Sequence, residues 1–485
     1  MAKSLHDLPA LRPLGKLEQY SASRHILNFY NNVGVSATYE NLLQDISQDS
    51  LRSHIYSACH EAIRTHPALS AVPIAPPNKS SELYFARLDK IELDNCVLFQ
   101  ERKAPRPQYG QDEEDVIMDP ELDDLIATQH NVSWRLQIEA GDLSPVWRLV
   151  VLFNPTTSTD SSFTACFIFH HSIGDGTSGV AFHRTLLRGL RSSIELPVKD
   201  IKSVVETPKD ARLHPCVEDS LSLSLSLGYI AGPLIDNTLP WIFSTKSALW
   251  AGGNIVDEPK SQFRSMTFSA AASKKLVAAC KKNRTTVSAL LQAALADVLF
   301  KLLPEQFQSL KSSCPVSLRP LLREKGIDNG TFGVYIGAAD VEFQRSELAV
   351  PPEGLSPAFA LIRVSQRVRE ELVRFVAKGA KNLSIGLLKY VSDLNSFFTS
   401  KLGTARDTSF EVSNLGVVKE DPEHMSAMVF SQSANVTGAA FCVSSVTSGD
   451  GRLVLGFSWQ EGVVEEVLVN DVIRELPKIF AHFCD

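Results

Sequence analysis

The chain of 485 residues is 44% hydrophobic and 21% charged, an ordinary globular balance that excludes a disordered or fibrous protein. Such a length suffices for two domains, since single cores seldom grow past about 250–300 residues. A formal charge of −7 supplies no basic field for nucleic acid and no polybasic membrane anchor.

Residues 1–16 hold no apolar run of signal-peptide length. Residues 20–30 read as a helix and 32–39 as a strand with β-branched character. Over 51–66, Ile55, Ala58, Cys59, Ala62 and Ile63 fall on one helical face, and Pro67 ends that helix. Residues 101–124 are charged and proline-bearing, a solvated loop with a short helix. Two apolar runs, 146–153 and 162–169, flank the polar turn 154–161 and predict a hairpin within a sheet. Directly after them comes the heptapeptide HHSIGDG (170–176), then an amphipathic helix over 177–190.

Residues 198–260 carry Pro208, Pro215, Pro233, Pro240 and Pro259 and read as a crossover between two domains, 1–197 and 261–485. Within it, the apolar window 221–243 is interrupted by serines, Pro233, Asp236 and Pro240. A membrane-spanning helix needs about 20 residues without such breaks. Residues 221–230 are expected to line a cleft, with peripheral membrane contact as the alternative. Beyond 260, strands are predicted at 264–268, 312–318, 331–338, 408–412, 440–446 and 453–459. Helices are predicted at 270–281, 287–303, 357–375, 386–397 and 472–483, the last with a kink or late start at Pro477. The eight cysteines are scattered and none stands in C-x-x-C spacing. Zinc-ribbon and redox-pair readings therefore lack their ligands, and free thiols in a reducing cytosol are expected.

HHSIGDG carries the chemistry. It sits between a buried-looking strand and a helix, where the chain must turn sharply, and Gly174 and Gly176 are read as permitting backbone angles that a side chain forbids. His171 then stands at the strand end, where a cleft can form. A neutral imidazole with a pKa near about 6.5 can take a hydroxyl proton. Asp175, four residues on, shapes the loop through an ion pair or backbone hydrogen bonds. His170 is read as structural. Adjacent histidines of a strand point to opposite faces, and no further ligand stands at metal spacing, so no metal is expected. No G-x-S-x-G elbow offers a nucleophilic serine, and neither a G-x-G-x-x-G dinucleotide loop nor a P-loop is read after a strand.

HHSIGDG resembles the H-H-x-x-x-D-G signature of the CoA-dependent acyltransferase superfamily, which includes chloramphenicol acetyltransferase, the plant BAHD enzymes and the condensation domains of peptide synthetases. Within that group the chain is similar to the fungal alcohol O-acetyltransferase family. The likeness rests on segments 11–39 (with RPLGKLEQY), 66–69, 144–153, 285–295, PVSLRP (315–320), 330–338 and SFEVSNLG (409–416). The plant D-F-G-W-G motif is absent, and SFEVSNLG stands in the comparable region.

The resemblance implies an α/β fold, a mixed-sheet sandwich of two chloramphenicol-acetyltransferase-like domains with an interdomain tunnel and His171 midway along it. It implies no permanently bound cofactor, acetyl-CoA as co-substrate, and direct transfer to an alcohol with His171 as general base. By the same likeness Asp175 points away from substrate and pairs with an arginine, for which Arg319 is the candidate. An oxyanion donor is also needed, and Ser413 or Asn414 could supply it. His25 is expected to line the acceptor channel, and His66 to be a charge at a helix C-terminus. Two other classes stay open at this level: a carrier-dependent condensation-type or N-acylating enzyme, and a catalytically silent binding protein of the same fold. A cytoplasmic location is expected. Acceptor identity, acyl length and oligomeric state are open.

Overall fold

The computed structural model describes residues 4–43, 47–75, 82–107, 116–154, 160–195, 201–230, 248–349, 358–421 and 423–485. Most of the turn 154–161, much of the charged loop 101–124 and part of the crossover lie outside them.

In chain order the elements that position the site are α1 (Lys16–Ile26), β1 (Val33–Tyr39), α2 (Gln48–Thr65), β2 (Val97–Glu101), β3 (Val116–Ile117), α3 (Pro120–His130), β4 (Trp147–Phe153), β5 (Phe163–Phe169) and α4 (Gly176–Glu195). The second half contributes β6 (Ser261–Phe268), α5 (Ala270–Lys282), α6 (Val287–Leu302), β7 (Ser309–Ser317), β8 (Ile336–Gln344), α7 (Ala358–Ala377), α8 (Leu394–Thr399), β9 (Phe410–Val417), β10 (Met425–Gln432), β11 (Phe441–Thr447), β12 (Leu453–Gln460) and α9 (Glu466–Cys484).

Local chemistry explains several helix starts. Asp119 caps α3 by accepting from Leu122 N, with Pro120 preset at the first helical position. Ser269 and Thr286 cap α5 and α6 in the same way. Helix α6 is apolar almost all round and correspondingly buried, from Ala289 to Phe300.

Two sheets result. One has five strands in the order β10-β1-β5-β4-β2, the other seven in the order β8-β7-β9-β11-β12-β6-β3. Each backs onto its own apolar core, the first packed with α2 and α4, the second with α6, α7 and α9. Strand β10 crosses between them: although it follows β9 in the chain, it pairs antiparallel with β1, Val429 opposite Ser36. Conversely β3, from the first half, extends the second sheet beside β6. The halves are therefore locked by exchanged strands.

Several elements depart from their predicted form. The predicted strand at 331–338 begins only at Ile336. Residues 331–335 instead turn the carbonyls of Thr331 and Gly333 onto Arg319. The predicted helix 386–397 is two pieces, a 3-10 turn over Ser384–Tyr390 and then α8, which Asp393 starts afresh by accepting from Asn395 N and Ser396 N. No strand is predicted at 425–432, where β10 stands. Helix α9 begins six residues before the predicted 472 and carries Pro477 inside it. Leu221 and Leu223 pack against the cluster of Leu318 and Tyr335, whereas Leu227 is exposed. All eight cysteines are free. Among the described residues no single helix is long and apolar enough to cross a membrane.

Candidate active site

Strand β5 ends at Phe169, and the next residue is still tied to the sheet by His170 N donating to Val146 O at 2.9 Å. The chain then turns, with Ile173 N donating to His170 O, and enters α4 at Gly176. The two histidines diverge here. His170 goes into the interior, its ring 4.2 Å from that of His25 and near Trp134. Its Nδ1 accepts from Ser172 N at 3.0 Å, and burial holds its pKa well below the ordinary value.

His171 faces the opposite way, into a cavity of about 450 Å³ lined from both halves. Such a volume suits a small organic molecule. Its Nδ1 lies 2.9 Å from Gly174 O. A carbonyl oxygen can only accept, so Nδ1 carries the proton and Nε2 keeps its lone pair. The expected pKa near 6.5 is corrected here: burial first, then the Arg24 cation, lower His171 to about 4. The ring is neutral throughout the physiological range.

Asp175 does not hold His171. Its Oδ2 receives Arg319 at 2.7 Å and Tyr335 N at 3.1 Å, and its Oδ1 receives Ser178 N at 3.1 Å. Burial raises such a carboxyl, but the adjacent guanidinium outweighs it and holds Asp175 below its usual range. Arg319 spends its remaining donors on the carbonyls of Asp328 and Thr331, both at 3.0 Å, and lies over the Tyr335 ring. Asp175 N also donates to Gly333 O. The loop that carries His171 is thereby anchored to the second half.

Gly174 and Gly176 differ from the sequence reading in their reason. Neither adopts a left-handed conformation. A Cβ on Gly174 would meet Ser178 at 2.8 Å, and one on Gly176 would meet Leu415 at 2.7 Å and Phe430 at 2.9 Å. Space, not backbone angle, demands glycine. With Gly179 they stand at the G-x-G-x-x-G spacing of a dinucleotide loop, but Ser178, Leu415, Phe430 and Val35 fill the ground a pyrophosphate would need.

On β9, alternation sends Phe410 and Val412 into the helix-backed core and Glu411, Ser413 and Leu415 toward the cavity. Asn414 lines it too, but its amide is spent: Nδ2 donates to Ser288 Oγ at 2.8 Å and Oδ1 accepts Gly416 N at 2.7 Å. The Ser413 side chain makes no hydrogen bond among the described residues.

Two expected positions move away. His25 does not line the cavity. Its Nδ1 donates to Asn31 O at 2.9 Å, its Nε2 accepts from Trp134 N, and burial lowers it to about 4. His66 is no helix-end charge: it is buried, bonded to Thr185 Oγ1 at 2.8 Å, and burial lowers it to about 4. In their place the structure brings Arg24, Tyr30, Glu411 and Gln432 to the cavity. Tyr30 Oη donates to Gln432 Oε1, and Gln432 Nε2 donates to Glu411 Oε1 at 3.0 Å. Arg24, Tyr30 and Glu411 stand in the family-like segments 11–39 and 409–416, whereas Gln432, on β10, stands in neither.

Two mixed sheets with exchanged strands and a histidine loop at their junction are a fold found in solved structures. A trichothecene 15-O-acetyltransferase from Fusarium sporotrichioides superposes with a TM-score of 0.67 at 15% identity, covering 99% of this chain and 98% of that one. A second protein of that fungus, solved with coenzyme A and T-2 bound, gives a TM-score of 0.53 at 13% identity over 96% of each chain. The model of the alcohol acetyltransferase family matches residues 13–482. A relative from Aspergillus fumigatus, named probable alcohol acetyltransferase crmB, is 34% identical over 97% of this chain and 99% of its own length. The chain belongs to the alcohol acetyltransferase family and is an acyltransferase.

Proposed function

We propose that the protein transfers an acetyl group from acetyl-CoA to the hydroxyl of an alcohol, with His171 as general base. The observation that carries this is the tautomer: Nδ1–H is committed to Gly174 O, and the free Nε2 belongs to a ring that lines the cavity between the two halves. The coenzyme A bound to the structural relative supports the donor.

Nε2 takes the hydroxyl proton as the oxygen attacks the thioester carbonyl. The tetrahedral oxyanion is met by the Ser413 hydroxyl, which has no hydrogen-bond partner among the described residues, with Asn414 holding the strand end in place. Collapse breaks the C–S bond, and the imidazolium returns its proton to the departing thiolate. Holding both substrates at one base removes much of the entropic barrier, and no acyl-enzyme is formed. Asp175, Arg319 and His170 position the loop rather than touch substrate. In this reading 1–197 and 261–485 are the two acyltransferase halves and 198–260 the crossover, with β10 completing the first sheet from the second half.

The test is release of free thiol from acetyl-CoA on addition of an alcohol panel. His171→Ala is expected to slow transfer about 100- to 10,000-fold. Transfer at the wild-type rate would remove the general-base assignment.

A further inference from the structure

Arg24 is a buried cation with no ion-pair partner among the described residues, Glu411 acting on it only from a distance. It is 7% exposed and lines the cavity. Its guanidinium lies 4.5 Å from the ring centroids of both Tyr20 and Tyr30, held between two aromatic faces. Yet Nε has no hydrogen-bond partner, and no carboxylate among the described residues comes within ion-pair distance of it. Glu411, on the same cavity, gives its Oε1 to Gln432 instead. A guanidinium buried without an ion-pair partner costs stability, which an anion bound beside it would offset.

We propose that Arg24 anchors a carboxylate on the acceptor, so that the alcohol acetylated here is a hydroxy acid; the inference rests on the transfer reaction above. The Tyr30 ring that supports Arg24 is also 5.6 Å from the His171 ring. The anion and the reacting hydroxyl therefore belong to one small molecule. Coenzyme A cannot supply the anion, because its pantetheine arm separates the thioester at His171 from the nucleotide phosphates by many bonds. A carboxylate suits a single guanidinium, which offers it two parallel N–H donors, and it brings less negative charge toward Glu411 on the same cavity than a phosphate dianion would.

The probes are lactate, hydroxybutyrate and hydroxyhexanoate, each against its methyl ester, measured by calorimetric binding to the CoA-saturated protein and by thiol release from acetyl-CoA. At least one acid is expected to bind ten-fold or more tighter than its ester to the wild-type chain. Arg24→Gln is expected to erase that difference. Equal binding of every acid and its ester to the wild type overturns the proposal, and that comparison depends on no variant folding. So does an Arg24→Gln variant that keeps the discrimination, or one that weakens acids and esters alike, which would make Arg24 a general oxyanion or packing group. Arg24-dependent acid binding with no thiol release from any acceptor would leave the anion subsite standing and sink the transfer reaction. Transfer to neutral alcohols without acid preference would do the reverse.

Discussion

Asp175 and Arg319, 144 residues apart in the chain, meet at 2.7 Å with both side chains buried. Each also satisfies its remaining polar atoms locally, Asp175 on the backbone of Ser178 and Tyr335, Arg319 on the carbonyls of Asp328 and Thr331. The pair ties the His171 loop of the first half to residues 319–335 of the second.

Removing one partner strands the other charge in the interior. Arg319→Ala is expected to lower stability by about 3–5 kcal/mol and to lower the transfer rate with it, because the His171 loop loses its anchor. Chemical denaturation and thiol release measure the two. Activity lost at unchanged stability would instead make Arg319 a substrate-binding residue.

The acid limb of kcat/KM should fall near pH 4, where His171 titrates. Below it the imidazolium has no lone pair to accept the hydroxyl proton, and above it the rate is level. Since the Arg24 cation is one cause of that low value, Arg24→Gln should move the limb to higher pH. A limb that stays put in the variant would separate Arg24 from His171.

Stability should also fall in mild acid. Burial lowers His25, His66 and His183 to about 4 and His130 to about 3, while the unfolded chain titrates near about 6.5. As pH drops from about 6.5 toward about 4, the unfolded state binds protons that the folded state refuses, so the unfolding free energy decreases. Above about 7 both states are neutral at these rings and the melting temperature levels off. Thermal melts at pH about 7.5 and about 5 check this; equal values would mean these rings accept protons while folded.

Ser413 and Asn414 should separate by kind of defect. Ser413→Ala is expected to reduce kcat by up to about 100-fold, with little change in melting temperature, if its hydroxyl meets the oxyanion. Asn414→Ala is expected to lower the melting temperature, since its amide bridges Ser288 and Gly416. The opposite pattern would exchange their roles.

Gly176→Ala should cost about 1–3 kcal/mol by overpacking, because the added methyl meets Leu415 and Phe430. An unaltered melting temperature would show that β9 and β10 give way freely at that point.

Read from residues alone, HHSIGDG between a buried strand and an amphipathic helix placed His171 at a turn, and the likeness to a family pointed from there to Asp175 and Arg319. The apolar runs gave β1, β4, β5, β11 and β12 nearly to the residue, because alternation and β-branched content are local properties. Partnership is not local. Nothing in Met425–Gln432 says that it will leave its own half to pair with β1, and nothing in residues 331–335 says that their carbonyls will be taken by a guanidinium. Arg24 and His25 show the limit most sharply: they are neighbours on one helix, about 100° apart. Only the docking of α1 against Trp134 and His170 decided that the histidine would be sealed in and the arginine turned to the cavity. Sequence period determines which faces of an element are apolar; which face meets the substrate depends on long-range packing, set by what stands across from it in the fold.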